Sequence, residues 1–295
     1  MPRLSSNFVI FVPFVVQSLL WQKGLAVCLL ICLRQSDGSL LLAANRDERY
    51  DRPSSSPLLW GGKPRLWAGR DDQAGGTWLA VNEHGVVAAV TNRPIDVAPP
   101  KPTAGCTGQT PATRAQPPST GLPGDQLNRP SRGGLPLLAC RQATAKAAAM
   151  KTQEHLRGVA YNGFNLLIAD RAAAYIVQNT GQPVLDSVSV GMHVMANRGW
   201  DDLADERVAL AFGLIEKAGK GLHSGDTAQA LEAMQSICRF HGQRGEPSLC
   251  IHSSLGGTVS STLLAVSGEG KLLSYLFCPA APCRGQYEEL AGVLF

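Results

Sequence analysis

Aromatic rings are scarce in this chain, at 6% of its residues. That shortage argues against a surface that stacks nucleic-acid bases. Clustered positive charge is scarce too. Lys and Arg number 27 against 23 Asp and Glu, a net charge of +4, and they form no basic stripe of the kind that grips phosphates. No nucleic-acid partner is expected. Zinc-type cysteine pairs are also missing. The eight cysteines (Cys28, Cys32, Cys106, Cys140, Cys238, Cys250, Cys278 and Cys283) include no CxxC, and Cys250-Ile251-His252 matches no recognised zinc spacing. No metal is therefore expected, and most of these thiols read as small buried apolar groups. Gly61-Gly62 and Gly75-Gly76 match neither phosphate-binding glycine pattern and read as tight turns, so no cofactor is expected.

What is present suits a globular protein: 295 residues, 44% of them hydrophobic, enough for a sizeable core in one or two domains. The start of the chain stands apart. Arg3 precedes the apolar run Phe8 to Val16, which resembles a signal-peptide core, but Gln17, Gln22 and Lys23 interrupt any membrane-spanning length. Leu25-Ala26-Val27-Cys28 resembles a lipoprotein cleavage site in outline, with a bulky Val27 where a small residue is preferred. Residues 1–27 read as an N-terminal extension ahead of the domain, either signal-like or sequence upstream of a mis-assigned start, and a cytoplasmic protein is expected. Export, lipid anchoring or membrane association follows only if the extension acts as a signal or anchor.

Strand-like runs occupy Cys28 to Leu33, Leu40 to Ala44, Trp78 to Val81, Val86 to Thr91, Phe164 to Ala169, Ala173 to Gln178, His193 to Ala196, Val259 to Val266 and Leu272 to Phe277. Turn sequences join several of them in pairs, which predicts antiparallel hairpins. The first two runs lack polar alternation, so both are expected to be buried on two faces. Helical spacing marks Leu135 to Lys151, Leu203 to Ala218 behind the capping pair Asp201-Asp202, and Thr227 to Cys238. Hairpins with separated helices predict α+β layering. Residues 97–130, rich in Pro, Thr, Gly and Ala, read as a surface insertion within a domain covering 28–295.

The first hairpin carries the chemistry. With Asp37-Gly38 as a two-residue turn, Cys28 falls opposite Asp47; a slip of one residue puts it opposite Arg46. Either way a thiol, a guanidinium and a carboxylate meet at the open end of one hairpin. A nearby cation favours the thiolate, which is the nucleophile. An Arg-Asp ion pair with Cys28 as core filler is the alternative reading of the same residues.

Cys28-Leu29-Leu30-Ile31, Leu41 to Glu48 with its Asn45-Arg46-Asp47-Glu48 tetrapeptide, and Tyr50-Asp51-Arg52-Pro53 resemble the opening of the NRDE family, the transport-and-Golgi-organisation family. Further blocks keep the family order: Ala68-Gly69-Arg70-Asp71, Ala74 to Leu79, Val90-Thr91-Asn92-Arg93, Ser131-Arg132-Gly133, Tyr161 to Leu166 and Val194-Met195-Ala196-Asn197. The resemblance runs from Cys28 to about Val266. It implies a four-layer αββα sandwich of antiparallel sheets, similar to N-terminal-nucleophile (Ntn) hydrolases. In that wider group a mature N-terminal Cys is the nucleophile and its own α-amine serves as base. By this resemblance Cys28 is the nucleophile, Arg46 and Asp47 flank it, Asn92 is the oxyanion-hole residue and Asn197 orders the site. Glu48 reads as a surface ion pair. Val259 stands where many members have Arg, and residues 1–27 would have to leave for Cys28 to gain a free amine.

Two functions follow from the resemblance. One is a Cys-nucleophile amidohydrolase or acyltransferase acting on a C–N amide bond of a small molecule. The other is a non-catalytic protein of trafficking or of hydrophobic cargo such as haem or lipid.

Overall fold

The computed structural model describes residues 28–93, 129–222, 226–243 and 246–290. The extension 1–27, Cys106 and nearly all of the 97–130 insertion lie outside the described residues.

Two antiparallel sheets face each other. The first is built from β1 (Leu29–Arg34), β2 (Leu40–Arg49), β10 (Gly191–Met195), β11 (Gly256–Val266), β12 (Leu272–Cys278) and the short β13 (Glu288–Glu289), in the order β10-β1-β2-β11-β12-β13. The second runs in sequence order through β3 (Ser54–Trp60), β4 (Leu66–Asp71), β5 (Leu79–Asn82), β6 (Val87–Asn92), β7 (Phe164–Ala169), β8 (Ala174–Asn179) and β9 (Pro183–Ser187). Helices α1 (Gly134–Ala139) and α2 (Ala145–Gly158) cover the outer face of the second sheet, and α3 (Glu206–Ala218) and α4 (Thr227–Cys238) that of the first. The result is the expected αββα order.

Each strand of the first hairpin feeds two cores because side chains alternate across a sheet. Leu30, Cys32, Leu40, Leu42 and Ala44 point between the sheets, against Trp67, Leu79, Val87 and Leu167. Leu29, Ile31, Leu33, Leu41 and Ala43 point the other way, against Val208, Ala211, Met234 and Ile237 of α3 and α4. The unbroken apolar runs are thus buried on both faces, as their lack of alternation predicts.

The turn departs from the two-residue expectation. Gln35 N donates to Ser39 O at 2.9 Å, and Arg34 pairs with Leu40. The loop is Ser36-Asp37-Gly38, closed by Gly38 at φ +88°, with the Asp37 carboxylate accepting from Ser39 N at 2.9 Å. A third loop residue needs a left-handed position, which glycine supplies without a Cβ clash. The extra residue shifts the register by one and decides which charged group faces Cys28.

The predicted helix Leu135 to Lys151 is two helices. Thr144 takes an extended conformation (φ −142°) and its hydroxyl accepts from Ala147 N, so α2 starts there with its own cap. The cap of α3 is Asp205, not the expected Asp201-Asp202 pair. Helix α4 runs over the predicted span.

Candidate active site

Cys28 stands one residue ahead of β1. The pairing Leu29↔Asn45 between β1 and β2, continued by one step, sets Cys28 opposite Arg46; Leu30↔Met195 between β1 and β10, continued by two, sets it opposite Asn197. The two-residue-turn register with Asp47 is therefore corrected to the slipped one. Arg46 and Asp47 leave β2 on opposite faces. Arg46 enters the space between the sheets, where its guanidinium lies over the Trp78 ring at 4.5 Å and donates to Ser54 Oγ at 3.0 Å. Trp78 comes this close because Gly69 on β4 has no side chain; a Cβ there would lie 2.3 Å from the ring.

Asp47 points back into the helical layer and is fully buried. Its carboxylate pairs with Arg207 Nη2 at 2.9 Å and accepts from Thr258 Oγ1 at 2.5 Å. Arg207 also donates to Leu249 O at 3.0 Å. Burial raises the Asp47 carboxyl to about 6, outweighing the lowering pull of Arg207 and Thr258. What Asp47 offers Cys28 directly is its backbone carbonyl, 4.0 Å from Sγ.

Cys28 opens into a cleft whose walls include Arg46, Glu48, Arg52, Asp71, Trp78, Asn92 and Arg132. Arg52 forks onto Asp71, Nη2 donating to Oδ2 at 2.7 Å and Nε to Oδ1 at 3.2 Å. Glu48 lies 4.0 Å from Arg46 and 3.6 Å from Arg52. Glu48 thus makes the expected ion pair, but in the cleft wall and not on the open surface. The half-buried Arg132 guanidinium donates to Gly163 O at 3.0 Å. Three guanidinium groups against two carboxylates leave the cleft positive by one.

The cation beside Cys28 does not win. Burial of the thiol, reinforced by the Asp47 carboxylate, pushes Cys28 up to about 12, and Arg46 is the smallest of the opposing influences. With a peptide bond ahead of it, Cys28 at neutral pH is a thiol, contrary to the thiolate expectation.

Of the five expected residues, the cleft brings Cys28, Arg46 and Asn92 together. Asn197 follows β10 beside Cys28 by register, its backbone carbonyl 3.5 Å from the Asn165 amide, which also donates to Ala196 O at 2.9 Å. Asp47 lies on the far face, in a buried network. Val259 is the extra residue of a bulge between Thr258 and Ser260, which are paired with Asp47 and Arg46. Sequence reading assigned no role to Trp78, Arg52, Asp71, Arg132 or Arg207. The first four stand in the blocks that carry the resemblance. Arg207 gave one signal: it adjoins Val208 on the inward stripe of a helix, where an unpaired charge has no place.

The layer order is that of an Ntn-hydrolase-like fold. Two solved structures share the fold: penicillin V acylase from Agrobacterium tumefaciens (TM-score 0.52, 14% identity, 90% of this chain and 87% of that one) and the Caenorhabditis elegans ortholog of N-acylethanolamine-hydrolyzing acid amidase (TM-score 0.50, 12% identity, 82% and 93%). Within that class the chain belongs to the family described as Transport and Golgi organisation 2, whose profile matches residues 27–274. The Transport and Golgi organization protein 2 homologs of Bos taurus and Homo sapiens are each 32% identical, over 142 and 139 residues, or 45% and 46% of this chain. The match spans 40% of the length of each of these relatives.

Proposed function

We propose that this protein is a Cys28-nucleophile hydrolase or acyltransferase acting on the C–N amide bond of a small molecule. The observation that carries the reading is the meeting of Cys28, Arg46 and Asn92 in one charged cleft at the head of an inner strand. The fold neighbours, named as an acylase and an amidase, support the same class. In the step inferred, Cys28 Sγ attacks the amide carbonyl and its proton passes to the Cys28 α-amine. The carbonyl electrons move onto oxygen, where the Asn92 side-chain amide donates to the developing oxyanion. The C–N bond breaks as the amine takes that proton, leaving a thioester that water hydrolyses or a second amine accepts.

The α-amine is part of the proposal: a mature chain that begins at Cys28 supplies a base of pKa about 7.7–8.0 beside the sulfur. In the extended chain burial holds the thiol protonated, so in this mechanism the activating base is the freed amine. Arg46 and Arg132 give the cleft a preference for substrates bearing an anionic group. Its five charged side chains suit a polar small molecule better than haem or lipid. Asp47 and Asn197 act as positioning residues for the strand ends that hold Cys28.

An activated acyl probe on protein with a free Cys28 amine, verified by N-terminal sequencing, tests the proposal. One label per chain, abolished by Cys28→Ala and slowed about 100-fold or more by Asn92→Ala, is the expected result. Labelling indifferent to Cys28→Ala rejects it.

A further inference from the structure

Cys250, His252 and Cys283 are three potential metal donors that no step of the proposed chemistry uses. Sequence spacing gave them no zinc pattern, because the third comes from a separate loop more than thirty residues on. Folding brings them together. His252 Nε2 lies 3.7 Å from Cys250 Sγ and 3.1 Å from Cys283 Sγ, and all three donor atoms fall within 4.8 Å of one another. Bond lengths of ~2.3 Å to sulfur and ~2.0 Å to nitrogen put tetrahedral donors ~3.5–3.8 Å apart. The observed separations reach that geometry with shifts below an ångström or so.

We propose that Cys250, His252 and Cys283 form a binding site for a thiophilic d10 cation of the zinc type. Two thiolates and one imidazole select such an ion over magnesium or calcium, which prefer oxygen. The fourth position is open to water, since His252 and Cys283 are only half-buried. Neighbouring groups hold the donors in place without joining them. His241 packs its ring edge-on against His252 at 5.0 Å, and its Nδ1 lies 3.2 Å from Cys250 O, fixing the segment from the outside. Cys278 is engaged elsewhere, donating to Ala280 O at 3.3 Å.

The site joins two loops. One is the segment from Pro247 to Ser253, whose Leu249 to His252 end runs against the start of β11. The other is the 279–287 loop between β12 and β13. The first loop is anchored to the buried network behind Cys28: Ile251 N donates to Thr258 Oγ1 at 2.9 Å, and Thr258 Oγ1 donates to Asp47 Oδ1. A cation at this site is therefore a staple whose near end supports Asp47. The inference does not depend on Cys28 being a nucleophile.

The test uses the full chain, reduced and freed of metal, with zinc and cobalt(II) as probes. Expected are one zinc bound per chain at micromolar protein, a rise in melting temperature on zinc addition, and a sulfur-to-cobalt charge-transfer band with tetrahedral d–d intensity. Cys250→Ser and Cys283→Ser should each roughly halve the charge-transfer band, and the double variant should abolish it. Cys28→Ser should leave it intact. Absence of stoichiometric zinc uptake by the reduced wild-type chain overturns the proposal whatever the variants do. So does a cobalt band that survives the double substitution, or one that vanishes with Cys28→Ser.

Discussion

Cys28 carries a thiol that its surroundings keep protonated, and this has a measurable consequence. With the thiol held up to about 12 by burial and by Asp47, alkylation of Cys28 in a chain that retains residues 1–27 should run at least ~100-fold slower at pH 8 than that of an unperturbed cysteine. The rate should climb about tenfold per pH unit through pH 10, because only the thiolate reacts. A plateau below pH 9 in the alkylation profile, followed by mass spectrometry of the Cys28 peptide, is the outcome that contradicts this. Asp47 gives a second prediction. Its carboxyl is raised from 3.8 to about 6 by burial, so the folded chain holds that proton more tightly than the unfolded one. The resulting stability is fully present below the unfolded value and is lost as pH rises through the folded one. Urea melts of wild type and Asp47→Asn should therefore show the wild-type advantage shrinking between about pH 4 and about pH 6.5. A gap that widens over that window would mean that the Arg207 pair outweighs burial.

At the scale of elements, the site depends on how β4 and the start of β5 bring Trp78 under Arg46. Gly69 sits on β4 with Trp78 Cη2 where a Cβ would be. Gly69→Ala should push the ring aside, cost about 1–3 kcal/mol in overpacking, and loosen the Arg46 guanidinium from the face that positions it beside Cys28. Tryptophan fluorescence and a urea melt of the variant check this; an unchanged spectrum and midpoint would show that the strand yields instead. The same elements mark what the sequence made legible. Strands buried on both faces were readable because Leu29 to Leu33 and Leu40 to Ala44 have no polar alternation. Helix α4 was readable because Leu231, Met234 and Ile237 recur on one face. Strand β3 was not, since Ser54 to Trp60 is mostly exposed and its pattern, with Pro57 inside it, resembles a loop. The break at Thr144 was hidden by the alanines on either side, which favour helix and conceal a cap between two helices.

For the whole molecule, sequence order predicted hairpins but not which sheet each joins. The first sheet takes β1 and β2 from the start of the chain and β11 to β13 from its end, while the second follows chain order from β3 to β9. Cys28 lies where these meet, and its neighbours Arg46, Asn92 and Asn197 come from segments far apart in the chain. Their order was legible from the resemblance; which of Arg46 and Asp47 stands opposite Cys28 was not, because the register turns on one residue in the Ser36–Gly38 loop, while strand alternation sends the two side chains to opposite faces. That architecture also says where the chain tolerates change. Arg93 N donates to Gly163 O at 3.0 Å, and Arg129 Nη1 donates to Tyr161 O at 3.0 Å. The two flanks of the Pro- and Thr-rich insertion thus both dock on the turn Tyr161–Gly163, so a short linker can join them. The inserted sequence holds few bulky apolar residues to contribute to a core. Replacing residues 97–126 by a few Gly and Ser should leave thermal unfolding cooperative and the midpoint within a few degrees of wild type. A broad, non-cooperative melt in that variant would show that the insertion contributes packing the composition does not suggest. Because Ser131 and Arg132 line the cleft directly after the insertion, Cys28 probe labelling in the same variant reads separately whether the shortened return still delivers the Arg132 guanidinium to its place.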